Sequence, residues 1–185
     1  MGAREPDRLP TLKSERLVLR QVEPGDIPAL DAIVAEPEVA KWWPLPVGES
    51  MAFDAFSPGT HAYAIEADDE VAGTIMFAEE EHPLYRHAGI DIMLSTAFQG
   101  RGLGTEALRA LVGYLLGARG HHRVTIDPAL ANERAIHTYE KVGFRRIGVA
   151  RAYEATSDGV FHDNLLMDLL ASDFAETCGD RSNED

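Results

Sequence analysis

The segment Gln99-Gly100-Arg101-Gly102-Leu103-Gly104 constrains this chain more than any other. Ala88 to Leu94 before it predicts a strand. Leu103, Ala107, Leu108, Leu111, Val112 and Leu115 after it recur at helical spacing. Glycines spaced this closely let backbone approach a ligand with no side chain between them. The first N–H groups of a helix lack intrahelical partners, and the helix dipole draws anions to them. Strand, glycine turn and helix start, in that order, suit a diphosphate, and Arg101 could add charge. A flexible turn before an ordinary helix would look the same locally, so the rest of the chain has to decide.

The flanking pattern predicts one α/β domain of mixed sheet and helices. Arg16 to Gln21 reads as a first strand. Pro24-Gly25-Asp26 is a turn, and Ile27, Leu30, Ile33 and Val34 mark a helix. Glu36 to Trp43 reads as a second short helix stopped by Pro44, and residues 44 to 60 as loop or broken helix. His61–Glu66 and Val71–Glu79 form a hairpin through the acidic turn Ala67-Asp68-Asp69-Glu70. Val124 to Asp127 is a strand, and Asn132 to Val142 a helix ended by Gly143. Phe144 to Arg151 and Phe161 to Leu170 close the sheet as an antiparallel pair. The domain is expected over residues 13–172, with a disordered arm at 1–12 and an acidic tail at 173–185.

Thirty-one acidic residues against 17 basic ones give a formal charge of −14. Such a surface repels nucleic acid and anionic membranes and attracts cations. The single cysteine, Cys178, cannot form an internal disulfide, and His121-His122 has no third ligand nearby, so no metal site is expected. No apolar run reaches the length that spans a bilayer, and MGAREPDRLP carries no signal-like stretch. The expectation is a cytoplasmic protein.

Gly102-Leu103-Gly104-Thr105-Glu106-Ala107 also fits the dinucleotide pattern G-x-G-x-x-A, with Asp127 placed as a ribose-binding acid. Ser95 to Gln99 separate strand from first glycine, whereas a dinucleotide turn is tight. The first four strands also precede the motif, so this reading ranks last.

Gln99-x-x-Gly102-x-Gly104 resembles the Q/R-x-x-G-x-G/A signature of the GNAT superfamily of N-acetyltransferases. Asn132-x-x-Ala135-x-x-x-Tyr139-x-Lys141-x-Gly143-Phe144 resembles the second block of the same superfamily. The resemblance covers residues 14 to 170. It implies the GNAT fold, a mixed, mostly antiparallel central sheet flanked by helices, with acetyl-CoA as co-substrate. Val39-Ala-Lys-Trp42-Trp43, Glu79-Glu80-Glu81-His82-Pro83 before Ala88-Gly89-Ile90-Asp91, and Asp127-Pro128-Ala-Leu-Ala-Asn132 resemble segments of the aminoglycoside 6′-N-acetyltransferases. Ser14-Glu15-Arg16-Leu17-Val18-Leu19-Arg20 instead resembles enzymes that acetylate ribosomal protein N-termini. The implied acceptor is a cationic small-molecule amine, with a protein N-terminus or a polyamine as the alternative. A non-catalytic acyl-CoA-binding module is the reading from another class.

The resemblance assigns coenzyme contacts to Gln99, Gly100, Arg101, Gly102, Leu103, Gly104, Thr105, Asn132 and Tyr139. N–H groups near Ile92, Met93 and Leu94 would face the thioester carbonyl. Tyr139 becomes the candidate general acid, although without the family match a core tyrosine on an amphipathic helix is the favoured explanation. Asn132 is in any case a helix N-cap. Asp91 and Asp127 would hold ammonium groups by charge-assisted hydrogen bonds, and one of them, directly or through water, could take the amine proton. Their structural alternatives are an ion pair of Asp91 with Arg86 and a turn role for Asp127 before Pro128. Trp42 and Trp43 would cover the acceptor, one of them from the core. Glu80, in the run Glu79 to Glu81, would attract a polycation, although such runs are usually solvated faces.

Overall fold

The computed structural model describes residues 8–43, 45, 48–156 and 159–174. Their strands form one eight-stranded sheet in the order β1-β2-β3-β4-β5-β6-β8-β7. These are β1 (Leu12–Lys13), β2 (Val18–Gln21), β3 (Thr60–Ala67), β4 (Glu70–Glu80), β5 (His87–Leu94), β6 (Arg123–Ile126), β7 (Arg145–Ala155) and β8 (Phe161–Leu170). Every pairing is antiparallel except β5 with β6. The parallel pair spans only Ala88 with Val124 and Gly89 with Thr125. From Ile90 to Leu94, β5 has β4 on one side and no strand of the described residues on the other. The sheet is therefore split at its centre.

Alternation along the strands sends apolar side chains to both faces. One core gathers Tyr63, Ile65, Ile75, Phe77 and Ile90 against α4 (Leu103–Leu116) and α5 (Glu133–Val142). The other packs Ala62, Ala64, Met76 and Met93 against α1 (Ile27–Val34), α2 (Pro37–Ala40) and α3 (Met51–Ala55). Ser50 caps α3 by accepting from the Ala52 N–H, so part of the stretch expected as loop or broken helix is helical. Pro44, Pro46 and Val47 lie outside the described residues.

The β3–β4 hairpin turns on Asp68 (φ 54°) and Asp69 (φ 63°). A two-residue primed turn needs positive φ at both central positions, and aspartate is among the few side chains that tolerate it.

The domain edges differ from expectation. Leu9 is buried in the first core, and Leu12–Lys13 pairs with Val18 and Leu19, so the ordered domain begins before residue 13. At the other end residues 171–174 are helical, and Phe174 packs on the first core. The rest of the expected arm (1–7) and tail (175–185) lies outside the described residues.

Candidate functional site

The glycine turn is shaped by two left-handed residues, Gly100 (φ 76°) and Gly102 (φ 82°). A side chain at either is strained, and at Gly102 a Cβ would stand 3.3 Å from Arg16 Nη2. Gly104 packs closely, with Leu94 Cδ1 3.4 Å from where its Cβ would be. Arg16 braces the turn from outside. Its Nε donates to Glu106 Oε2 at 2.8 Å and its Nη1 to the Arg101 carbonyl at 2.8 Å. Ser14 Oγ also donates to Glu106, at 2.7 Å. The Ser14–Arg20 opening thus supports the turn, and neither Ser14 nor Arg16 lines the cleft.

A cleft of about 1030 Å³ runs from this turn through the split in the sheet. Ile92, Met93, Leu94, Gln99, Gly100, Gly102, Gly104, Thr105, Asn132 and Tyr139 line it. Two expected contacts do not. Leu103 is buried in the core. Arg101 turns outward, pairing with Asp68 at 2.7 Å above the Phe98 ring. Asn132 caps α5, its Oδ1 accepting from the Ala135 N–H at 3.2 Å. With Gly100, Gly102 and Gly104 bringing backbone to the cleft wall next to the start of α4, the turn fits the diphosphate of a coenzyme A.

The other part of the cleft is acidic. Asp91 from β5, Asp127 just past β6, Asp54 from α3 and Glu154 from β7 all line it. Asp91 shares its strand face with Met93, the side covered by α1 to α3. Its carboxyl is exposed to the open cleft yet lies deep in the fold with protein on most sides. Loss of solvation, then the charges of Asp127, Glu154 and Asp54, push its pKa up to about 7. The expected alternative partner, Arg86, donates instead to the carbonyls of Gly120 and Arg119. Asp127 is raised by burial. A hydrogen bond from Tyr153 opposes the rise, and the charge of Glu154 adds to it.

Tyr139 is 7% exposed and tilts against Phe144, with ring centroids 6.2 Å apart. Burial raises its phenol, and so do the charges of Asp91 and Asp127, so the hydroxyl stays protonated beside both carboxylates. Trp42 and Trp43 both line the cleft. Trp43 packs on the second core and its indole N–H donates to Asp54 at 3.4 Å. Trp42 carries Lys41 Nζ 4.6 Å from its ring centroid.

Glu80 lies outside the cleft, and its Oε1 accepts from the His82 N–H at 2.8 Å. Glu79, expected in a solvated run, is half-buried, with its side chain turned out of solvent. Burial alone would raise its carboxyl, and hydrogen bonds from Arg119 and His121 hold it below the ordinary value. Strand alternation turns Glu79 inward and leaves Glu80 outside.

Asp54, Glu154, Tyr153 and Arg134 were not singled out in the sequence. Glu154 follows an irregularity in β7, where the register slips between Ala150 and Glu154 and Ala152 has φ 47°. No spacing rule marks such a bulge. Asn164, buried on β8, donates to the Asp127 carbonyl at 2.8 Å and to Glu154 Oε2 at 3.2 Å.

A mixed sheet split between two strands, with a glycine-lined helix start on one flank and convergent carboxylates on the other, defines a class of α/β protein whose cleft opens along a gap in its sheet. Residues 16–145 match the family model described as acetyltransferase (GNAT) domain, and the chain belongs to that family. It is 42% identical over 89 residues to aminoglycoside N(6')-acetyltransferase type 1 of Klebsiella pneumoniae, covering 48% of this chain and 41% of that protein. It is 33% identical over 82 residues to spermidine N(1)-acetyltransferase of Escherichia coli K12, covering 44% of each. The matches thus span less than half the length of these relatives. The crystal structure of spermidine N-acetyltransferase from Vibrio cholerae in complex with CoA and spermine shares the fold, with TM-score 0.74, 20% identity, and coverage of 86% and 98%.

Proposed function

We propose that this chain is an acetyl-CoA-dependent N-acetyltransferase whose acceptor is a polycationic small molecule, with the 6′-amine of an aminoglycoside the best single candidate. One observation carries the acceptor class: Asp54, Asp91, Asp127 and Glu154, from four separate stretches of the chain, converge on the cleft that also reaches the glycine turn. Such crowding of carboxylates suits ammonium groups, whose charges relieve the mutual repulsion. Trp42 adds a ring face that already accepts one ammonium, that of Lys41.

Acetyl-CoA supplies an activated acyl group as a thioester. The turn at Gln99 to Thr105 and the start of α4 hold its phosphates, and the open side of β5 holds its arm. Asp127, with the Tyr153 hydroxyl on it, anchors an ammonium. Asp91, titrating near neutrality, takes a proton from the attacking amine directly or through water. The Tyr139 hydroxyl, held protonated, gives its proton to the departing sulfur.

The test is thiol release from acetyl-CoA with kanamycin, spermidine and free-N-terminal peptides side by side. Turnover with kanamycin that is lost in Asp127→Asn is expected. Turnover with spermidine alone would move the acceptor to a polyamine, which the Escherichia coli relative favours. Coenzyme binding without thiol release for any amine would leave a binding module.

A further inference from the structure

Arg134 sits where a helix disfavours it. It occupies the first turn of α5, whose N-cap is Asn132, and there the dipole opposes a cation. Its guanidinium is not neutralised. Nη1 donates to Gln99 Oε1, a neutral amide, at 2.9 Å, and among the described residues no carboxylate pairs with it. The other two arginines at the turn are committed, Arg16 to Glu106 and Arg101 to Asp68. Arg134 Nη2 lies 3.7 Å from where a Cβ on Gly100 would stand, so the guanidinium stands over the space that this glycine leaves open, and Arg134 lines the cleft.

Gln99 uses both ends of its amide. Its Nε2 donates to the Leu94 carbonyl at 2.7 Å while its Oε1 accepts from Arg134. One side chain thereby ties the end of β5, the turn and α5 together across the entrance to the split.

We propose that Arg134 is a phosphate-binding residue for the coenzyme and that Gln99 is its positioning residue, holding the guanidinium at the turn until phosphate oxygens replace the amide. This rests on the coenzyme reading given above. Guanidinium–phosphate contacts are charge-assisted and often bidentate, so phosphate outcompetes a neutral amide.

Calorimetric titration of the full chain with coenzyme A, dephospho-coenzyme A and pantetheine tests the proposal. Arg134→Ala is expected to weaken coenzyme A binding by about tenfold or more, with Arg134→Lys recovering part of it. An equal loss for dephospho-coenzyme A assigns the contact to the diphosphate. A loss confined to coenzyme A assigns it to the 3′-phosphate. Pantetheine, lacking phosphate, should bind wild type and variants alike. Gln99→Ala should weaken coenzyme A less than Arg134→Ala does and add little to it in the double variant. Coenzyme A and dephospho-coenzyme A affinities within about twofold of wild type in folded Arg134→Ala and Arg134→Gln would overturn the proposal and leave the coenzyme reading standing. Wild type that binds no coenzyme A would overturn both.

Discussion

A carboxyl set among other carboxylates and short of solvent resists ionising. Asp91 bears that strain, with a value near 7 set by lost solvation and by Asp127, Glu154 and Asp54. A folded value above the unfolded one means the native chain keeps a proton that the unfolded chain releases. Asp91 therefore costs stability as pH rises from about 4 towards 7, and nothing below that range. Asp91→Asn is expected to raise Tm at pH 8 but not at pH 4, while slowing acetyl transfer at every pH. Equal Tm shifts at both values would contradict it. For Tyr139, the conservative change Tyr139→Phe keeps the ring against Phe144. Thiol release should fall about a hundredfold or more with coenzyme affinity and Tm nearly unchanged. Asp91, Asp127 and Tyr139 were readable as candidates because each stands inside a motif of fixed spacing. Asp54 and Glu154 stand in none, and only the packing of α3 and the bulge in β7 bring them to the same cleft.

Two elements meet where α4 ends, and Glu79 on β4 holds them. Its carboxylate takes hydrogen bonds from Arg119 and from His121 Nε2, the latter at 2.5 Å, and so pins the turn that delivers the chain into β6. Its pKa is lowered in the fold, so the stability it contributes is present above its ordinary value of 4.5 and is lost as pH falls below that. Glu79→Gln removes the carboxylate charge that Arg119 and His121 share and should cost about 3 kcal/mol in denaturant unfolding at pH 7. The difference should shrink in acid. Gly73 is the second such point. A Cβ there would stand 2.1 Å from the Met93 carbonyl, so Gly73→Ala forces β4 away from β5. A loss of about 3 kcal/mol is expected, with coenzyme binding impaired as well, because Met93 lies on the cleft wall. The elements themselves were legible almost throughout, since strand alternation and the helical periods of α1, α4 and α5 are strong. The short pieces were less so. Leu12–Lys13 is two residues long, and its pairing is set by Val18 and Leu19 rather than by any local preference. The inward turn of Glu79 was lost for a different reason. A run of three acids reads as solvent-facing even at a strand end, because the partners that turn Glu79 inward, Arg119 and His121, stand some 40 residues further along the chain.

Across the whole molecule the formal charge of −14 acts on the two proposed ligands in opposite senses. The field draws a polycation towards the cleft and repels a coenzyme that carries several phosphates. Salt shortens the reach of that field from about 30 Å at 0.01 M to about 3 Å at 1 M. Raising ionic strength across that range should increase KM for the cationic acceptor, while KM for acetyl-CoA stays level or falls. Steady-state kinetics at fixed pH would show it, and a parallel rise in both constants would count against electrostatic steering. The charge was visible in the composition. Its focusing was not, because a total says nothing about which carboxylates share a cavity.

The join between β5 and β6 has one more consequence. Two residue pairs, Ala88–Val124 and Gly89–Thr125, are the strand contact between a five-strand panel and a three-strand panel. Panels stitched at one corner can breathe, and a molecule lying along the gap would clamp them together. Deuterium uptake by amides from Ile90 to Leu94 should then slow in proportion to occupancy, making stiffness a direct gauge of how full the protein is.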